Sequence, residues 1–120
     1  MSDELTNQII GAAIEVHIVL GAGLLECIYK DMCREFSIRK IPYQRQVAID
    51  VKYKGEVILG QRLDLLVFGE VIVELKSQSR LPEHATAQLL SYLKLTGFKR
   101  GLLINFAETR LVNGIKRISL

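Results

Sequence analysis

A mixed β-sheet flanked by helices, an α/β (α+β) domain, is the fold that the sequence predicts, and three observations predict it. Apolar residues recur at helical spacing over two stretches near the amino terminus and then at a period of two from Val47 onward. A third helical stretch, residues 83–96, interrupts the strand-like segments, and the strands resume after it. The 120 residues suffice for one core and show no repeat or linker, so residues 1–120 form one domain in the order ααβββαββ.

Residues 5–19, LTNQIIGAAIEVHIV, place Leu5, Ile9, Ala12/Ala13 and Val16 on one stripe, with Ser2 or Asp3 as the cap. The LGAG segment breaks that helix, and residues 24–38 form a second with Leu25, Ile28, Met32 and Phe36 inward. After RKIPY, Val47, Ile49, Val51 and Tyr53 alternate with Ala48, Asp50 and Lys52 as a half-buried strand, which turns at Lys54-Gly55. Further strands cover about residues 56–67 and 71–77. Pro82 precedes the third helix, and Gly97 stands where a helix ends. RGLLINF reads as a buried strand, and LVNGIKRISL carries Asn-Gly, a strong hairpin signal.

Composition removes several classes. A hydrophobic share of 49% with only two prolines argues against disorder. The longest apolar stretch, residues 18–25, is broken by two glycines and falls short of the ~20 residues a membrane span needs. The acidic, polar MSDELTNQ start does not resemble a secretory signal and leads us to expect a cytoplasmic protein. Cys27 and Cys33 lack metal-site spacing and read as reduced packing residues. A net charge of +3 leans weakly towards an anionic partner.

The informative stretch is RLDLLVFGEVIVELKS, residues 62–77, where Asp64, Glu74 and Lys76 interrupt two apolar strands. Side chains alternate faces along a strand, so the loop between the strands decides where these charges go. A two-residue turn at Gly69-Glu70 would put the two acids on opposite sides. A three-residue loop, Phe68-Gly69-Glu70, pairs Val67 with Val71, Leu65 with Val73 and Asp64 with Glu74. It keeps Leu63, Leu65 and Val67 on one apolar face and gathers Arg62, Asp64, Glu74 and Lys76 on the other, and this register is expected. Facing carboxylates about 5 Å apart repel. A divalent cation with oxygen ligands, Mg2+ or Mn2+, answers that repulsion and activates water for phosphodiester hydrolysis, with Lys76 holding the water. An exposed cross-strand ion pair also accounts for Glu74 and Lys76 when these are taken alone.

On the third helix Gln88 and Tyr92 lie one turn apart, with His84 one turn earlier, beside the apolar stripe Leu81/Ala85/Leu89/Leu93. Glu26 in the first turn of the second helix also suits the helix dipole. Tyr29 either covers core or orients the Glu26 carboxylate, and His17 reads as a satisfied core histidine. Arg62, Lys99 and Arg100 are candidates for nucleic-acid phosphate contact, against the alternative of ordinary strand-end charges.

Asp64 with Glu74-Leu75-Lys76 resembles the D…(D/E)xK motif of the PD-(D/E)xK, restriction-endonuclease-like nuclease superfamily. Gln88-Leu89-Leu90-Ser91-Tyr92 is similar to the QxxxY motif of its RecB-type branch, and Gly23-Leu24-Leu25-Glu26-Cys27-Ile28-Tyr29 to the signature of the GxxExxY proteins. The resemblance runs over nearly the whole chain, with Leu63 where the superfamily often has proline. It implies a restriction-endonuclease-like core with metal ligands at Asp64, Glu74, Glu26 and the Leu75 backbone carbonyl. It further implies Lys76 as the catalytic lysine, Gln88 and Tyr92 lining the site with Glu26, and DNA as substrate. Two other readings stand beside a deoxyribonuclease: a homodimeric junction resolvase, and a non-catalytic nucleic-acid-binding or protein-interaction module.

Overall fold

The structure is a computed structural model that describes residues 3–120, with the side chains of residues 51–53, 58 and 59 outside the description. The elements are α1 (Glu4–Leu20), α2 (Leu25–Ile38), β1 (Tyr43–Tyr53), β2 (Glu56–Val67), β3 (Val71–Lys76), α3 (His84–Thr96), β4 (Arg100–Asn105), a 3-10 turn (Leu111–Gly114) and β5 (Ile115–Ser119). The expected order holds. β1 begins four residues before Val47, because Tyr43, Gln44 and Arg45 already pair with Val67, Leu66 and Leu65. The predicted Ser2 cap and the inward placement of Val51 and Tyr53 fall outside the description.

The strands lie in the order β1-β2-β3-β4-β5. Neighbours are antiparallel except β3 and β4, which run parallel because α3 carries the chain across between them. α1 and α2 cover one face, burying Ile9, Ala13, Ile28, Met32 and Phe36 against Leu65, Val67, Val73 and Leu75. α3 covers the other, with Ala85, Leu89 and Leu93 against Leu66, Ile72 and Leu103. Leu25, expected inward, is exposed in the first turn of α2. Cys33 is buried and burial pushes its thiol up, whereas Cys27 is exposed. His17 places Nε2 2.8 Å from the Glu108 carbonyl beside Phe106, a satisfied histidine as expected.

Strand parity departs from the sequence reading at one level of the sheet. Leu63 packs with the α3 core, while Leu65 and Val67 pack with α1 and α2. β1 does the same, with Tyr43 towards α1 and α2 but Val47 and Ile49 towards α3. Both strands change face between Arg45↔Leu65 and Val47↔Leu63, at Gln46 and Asp64, and Gln46 has φ 49°. A left-handed residue there breaks the pleat, so the alternation of Leu63, Leu65 and Val67 on one face is corrected. Asp64 therefore sits where the strand rolls from one core to the other.

The Asn-Gly signal also resolves differently. Residues 111–113 form no strand; the 3-10 turn leads into β5, which pairs antiparallel with β4. Gly114 is required by close approach, because a Cβ there would lie 2.4 Å from the Asn105 carbonyl oxygen.

Candidate functional site

The β2–β3 register is the one the three-residue loop predicts: Val67↔Val71, Leu66↔Ile72 and Leu65↔Val73. Phe68 and Gly69 take positive φ to close the loop. One step beyond the ladder, side chains replace backbone partners. Glu74 Oε2 accepts the Asp64 N–H at 2.9 Å, and Asp64 Oδ2 accepts the Leu75 N–H at 2.9 Å. Both carboxylates are thereby fixed by main-chain donors of the facing strand pair.

The pair is electrostatically costly. Glu74 is 6% exposed, and its carboxyl is pushed up to about 7, first by burial and then by the Asp64 charge, against the Asp64 N–H bond and Lys76. Asp64 is also raised, by burial, with the Leu75 N–H and Lys76 opposing. Lys76 is half-buried and supplies the opposing charge, yet among the described residues no carboxylate oxygen lies within 4.0 Å of its ammonium. The alternative of a direct Glu74–Lys76 ion pair is therefore not formed. On the α3 side the Tyr92 hydroxyl donates to Gln61 Oε1 at 3.3 Å. The Tyr92 phenol is raised by burial and by the charges of Glu74 and Asp64, which places it within their field.

α2 reaches the acids from the other face. The Tyr29 hydroxyl donates to the Asp64 carbonyl at 2.6 Å and accepts from Gln46 Nε2 at 3.4 Å. It therefore orients the Asp64 main chain at the level where the β1–β2 pairing lapses, and not the Glu26 carboxylate. Glu26, Tyr29, Lys30, Arg45, Gln46 and Asp64 line one pocket of about 350 Å3, together with Leu75. Two anchors hold this side of the fold. Ser77 Oγ donates to the Gly23 carbonyl before α2, and buried Asn105 accepts from Gln78 N–H and donates to its carbonyl.

Glu26 thus shares a pocket with Asp64 but does not complete a three-acid cluster. Among the described residues no group of three or more acidic, histidine or cysteine side chains could hold one metal ion. Glu26 is exposed on α2 and lines the pocket, whereas Glu74 does not line it and its carboxylate is buried, accepting the Asp64 N–H. Gln88 is exposed on α3, and Tyr92 alone of that pair is buried near the acids. Arg62 stays at this end, its Nη1 donating to the Gln46 carbonyl at 3.4 Å. Lys99 and Arg100 do not. Arg100 opposes Val71 while Asn105 opposes Lys76, about 16 Å away at ~3.3 Å per residue, and Arg100 is ion-paired with Asp3 and Glu70.

A family model of the PD-(D/E)XK nuclease superfamily matches residues 3–118. The chain belongs to that superfamily. No curated protein and no solved structure gives a match. Membership agrees with the five-stranded mixed sheet flanked by three helices, a restriction-endonuclease-like fold, and speaks for a nuclease-like function on nucleic acid. PD-(D/E)XK nucleases generally use divalent metals, and the residues present fit such an ion. Asp64 and Glu74 offer hard oxygen donors from two carboxylates, as many as Mg2+ ordinarily takes; burial raises the pKa of both, and the Asp64 charge raises Glu74 further, a repulsion that a cation between them would relieve. Among the described residues no helix is long and apolar enough to cross a membrane.

Sequence reasoning missed Lys30, Arg45, Gln46, Gln61 and Asn105. Lys30 had a signal, since it stands one turn from Glu26 on the same helix face. Arg45 and Gln46 had none, because their place depends on how far β1 extends towards Val67.

Proposed function

We propose that this chain hydrolyses phosphodiester bonds in DNA with Mg2+ or Mn2+ held by Asp64 and Glu74. The observation that carries the reading is the facing pair itself: two carboxylates beyond the end of a strand ladder, fixed by main-chain N–H groups, with a half-buried lysine as their opposing charge. When bound, a divalent cation neutralises such a pair and makes a nearby water more acidic. The Lys76 ammonium acts on both acids through its charge, and in this reading it holds the attacking water and offsets negative charge developing on the phosphate. Glu26, which lines the pocket beside Asp64, accepts a hydrogen bond from that water, and the Leu75 carbonyl would be a further oxygen donor to the ion. Tyr92 and Gln88 line the α3 side. The water oxygen bonds phosphorus, the P–O ester bond breaks, one proton leaves to Glu26 or solvent, and the departing oxygen takes one from solvent.

The motif residues Gly23, Glu26 and Tyr29, and Gln88 with Tyr92, support a finer placement among GxxExxY proteins and the RecB-type branch. One observation favours the non-catalytic module instead: among the described residues a third acidic ligand is not assembled with the pair. A nuclease assay separates the readings. Single-stranded, duplex and branched DNA are incubated with Mg2+ or Mn2+, wild type beside Lys76→Ala. Cleavage that needs both the ion and Lys76 supports the proposal, and a preference for branched DNA by a dimer supports the resolvase form. Cleavage indifferent to Lys76→Ala and chelator, or none on any substrate, overturns it.

A further inference from the structure

The pocket between α2 and β1 holds more than the acids require. Lys30 and Arg45 line it together with Asp64 and Glu26, and among the described residues neither cation has a carboxylate oxygen within 4.0 Å. Arg45 instead lies over the Tyr29 ring, its guanidinium carbon 5.2 Å from the centroid. That stacking leaves the planar edge of the guanidinium available for a phosphate. Tyr29 is in turn tied to the Asp64 carbonyl, so the cation is held at a fixed place relative to the acid pair. At about 350 Å3 the cavity falls within the range of small-ligand sites, room for a nucleotide-sized unit.

The arrangement meets a physical need. A cluster of carboxylates repels the phosphodiester it is to act on, and two cations in the same cavity offset that repulsion for the approaching strand. Lys30 comes from α2 and Arg45 from β1, so two elements converge on the space beside Asp64.

We propose that Lys30 and Arg45 form the subsite for a backbone phosphate neighbouring the one at Asp64 and Glu74, on a single nucleic-acid strand. The inference deepens the nuclease reading above and rests on it for the position of the scissile bond. Lys30→Gln is on an exposed helical face, and Arg45→Lys keeps the charge while removing the stacked plane, so a misfolded Arg45→Gln would not end the test.

The experiment measures binding of a short fluorescent single-stranded DNA, and of the same sequence as RNA, by anisotropy in chelator over a salt series. Wild type is compared with Lys30→Gln, Arg45→Gln, Arg45→Lys and the exposed β5 variant Lys116→Gln. Each neutralised contact is expected to reduce the slope of log affinity against log salt by about 0.7, which is a loss of about fivefold at 0.1 M salt. Arg45→Lys keeps the slope, and Lys116→Gln matches wild type. A loss on both strands assigns the subsite to the phosphate alone, and a loss on one names the sugar it accepts. Unchanged slopes in Lys30→Gln and Arg45→Gln, or a wild type that binds neither strand, overturn the subsite; should Arg45→Gln misfold, an unchanged slope in Lys30→Gln does so alone. The nuclease reading is scored separately: binding that depends on Lys30 and Arg45 without cleavage leaves the subsite standing and removes the hydrolase. Cleavage with unchanged slopes does the reverse.

Discussion

Val71 and Arg100 mark one end of the parallel β3–β4 pair, Lys76 and Asn105 the other, and the two ends handle charge differently. At the first, Arg100 lies 3.3 Å from Asp3 and 3.8 Å from Glu70, and Arg117 from β5 donates to Asn7 at 2.7 Å. Cations meet acceptors there, and the result fastens the start of α1 to the sheet. At the second, two acids lean on backbone N–H groups, and Lys76, Lys30 and Arg45 have no carboxylate within ion-pair distance among the described residues. The same residue types in one sheet thus serve cohesion at one end and leave unspent charge at the other. Unspent charge in a concave, partly buried place is the physical mark of a site.

The largest expected break in this comparison is catalytic. Lys76→Ala lowers kcat about 100- to 1,000-fold in the metal-dependent nuclease assay, the range for loss of one donor that stabilises charge developing in the transition state. Arg117→Gln, at the paired end, leaves the rate unchanged.

Next is pH. The folded pKa of Glu74 stands near 7, above its ordinary 4.5, so the folded state holds a proton that the unfolded state has released between those values. Stability contributed in this way is fully present below about 4.5 and is lost as pH rises through about 7. In chelator, chemical denaturation is expected to show a fall of up to about 3 kcal/mol over that window, and Glu74→Gln to flatten it. A wild-type profile rising over the same window contradicts the burial argument.

Tyr29→Phe removes the 2.6 Å hydrogen bond to the Asp64 carbonyl. It is expected to cost about 1 kcal/mol in denaturant unfolding. It also weakens Mn2+ binding, which a purely structural tyrosine would not do. The smallest effect is stability at the paired end, where Arg117→Gln is expected to cost about 0.2–1 kcal/mol, as exposed polar pairs do.

Much of this was legible in the sequence because it depends on local rules. Helical spacing located α1, α2 and α3, and parity with loop length fixed the β2–β3 register that brings Asp64 opposite Glu74. What was not legible depends on non-local geometry. The face reversal at Gln46 and Asp64 needs a left-handed backbone in a residue that is not glycine, which no local rule announces. The misread Asn-Gly pair shows the same limit: Gly114 answers a close carbonyl from β4 and not a hairpin turn. Arg100 looked available because its partner Asp3 is almost a hundred residues away in the chain. Tyr29 was singled out by its motif, but its partner, the main chain of Asp64, is invisible until α2 docks on the sheet.

The claim that matters most is that Asp64 and Glu74 together bind a divalent cation, and Mn2+ titration followed by the spin-resonance signal of the free ion tests it directly. One site is expected in the wild type and in Lys76→Ala, and none in Asp64→Asn or Glu74→Gln. A wild type that leaves the free-ion signal untouched, or carboxylate variants that bind as it does, would contradict the account.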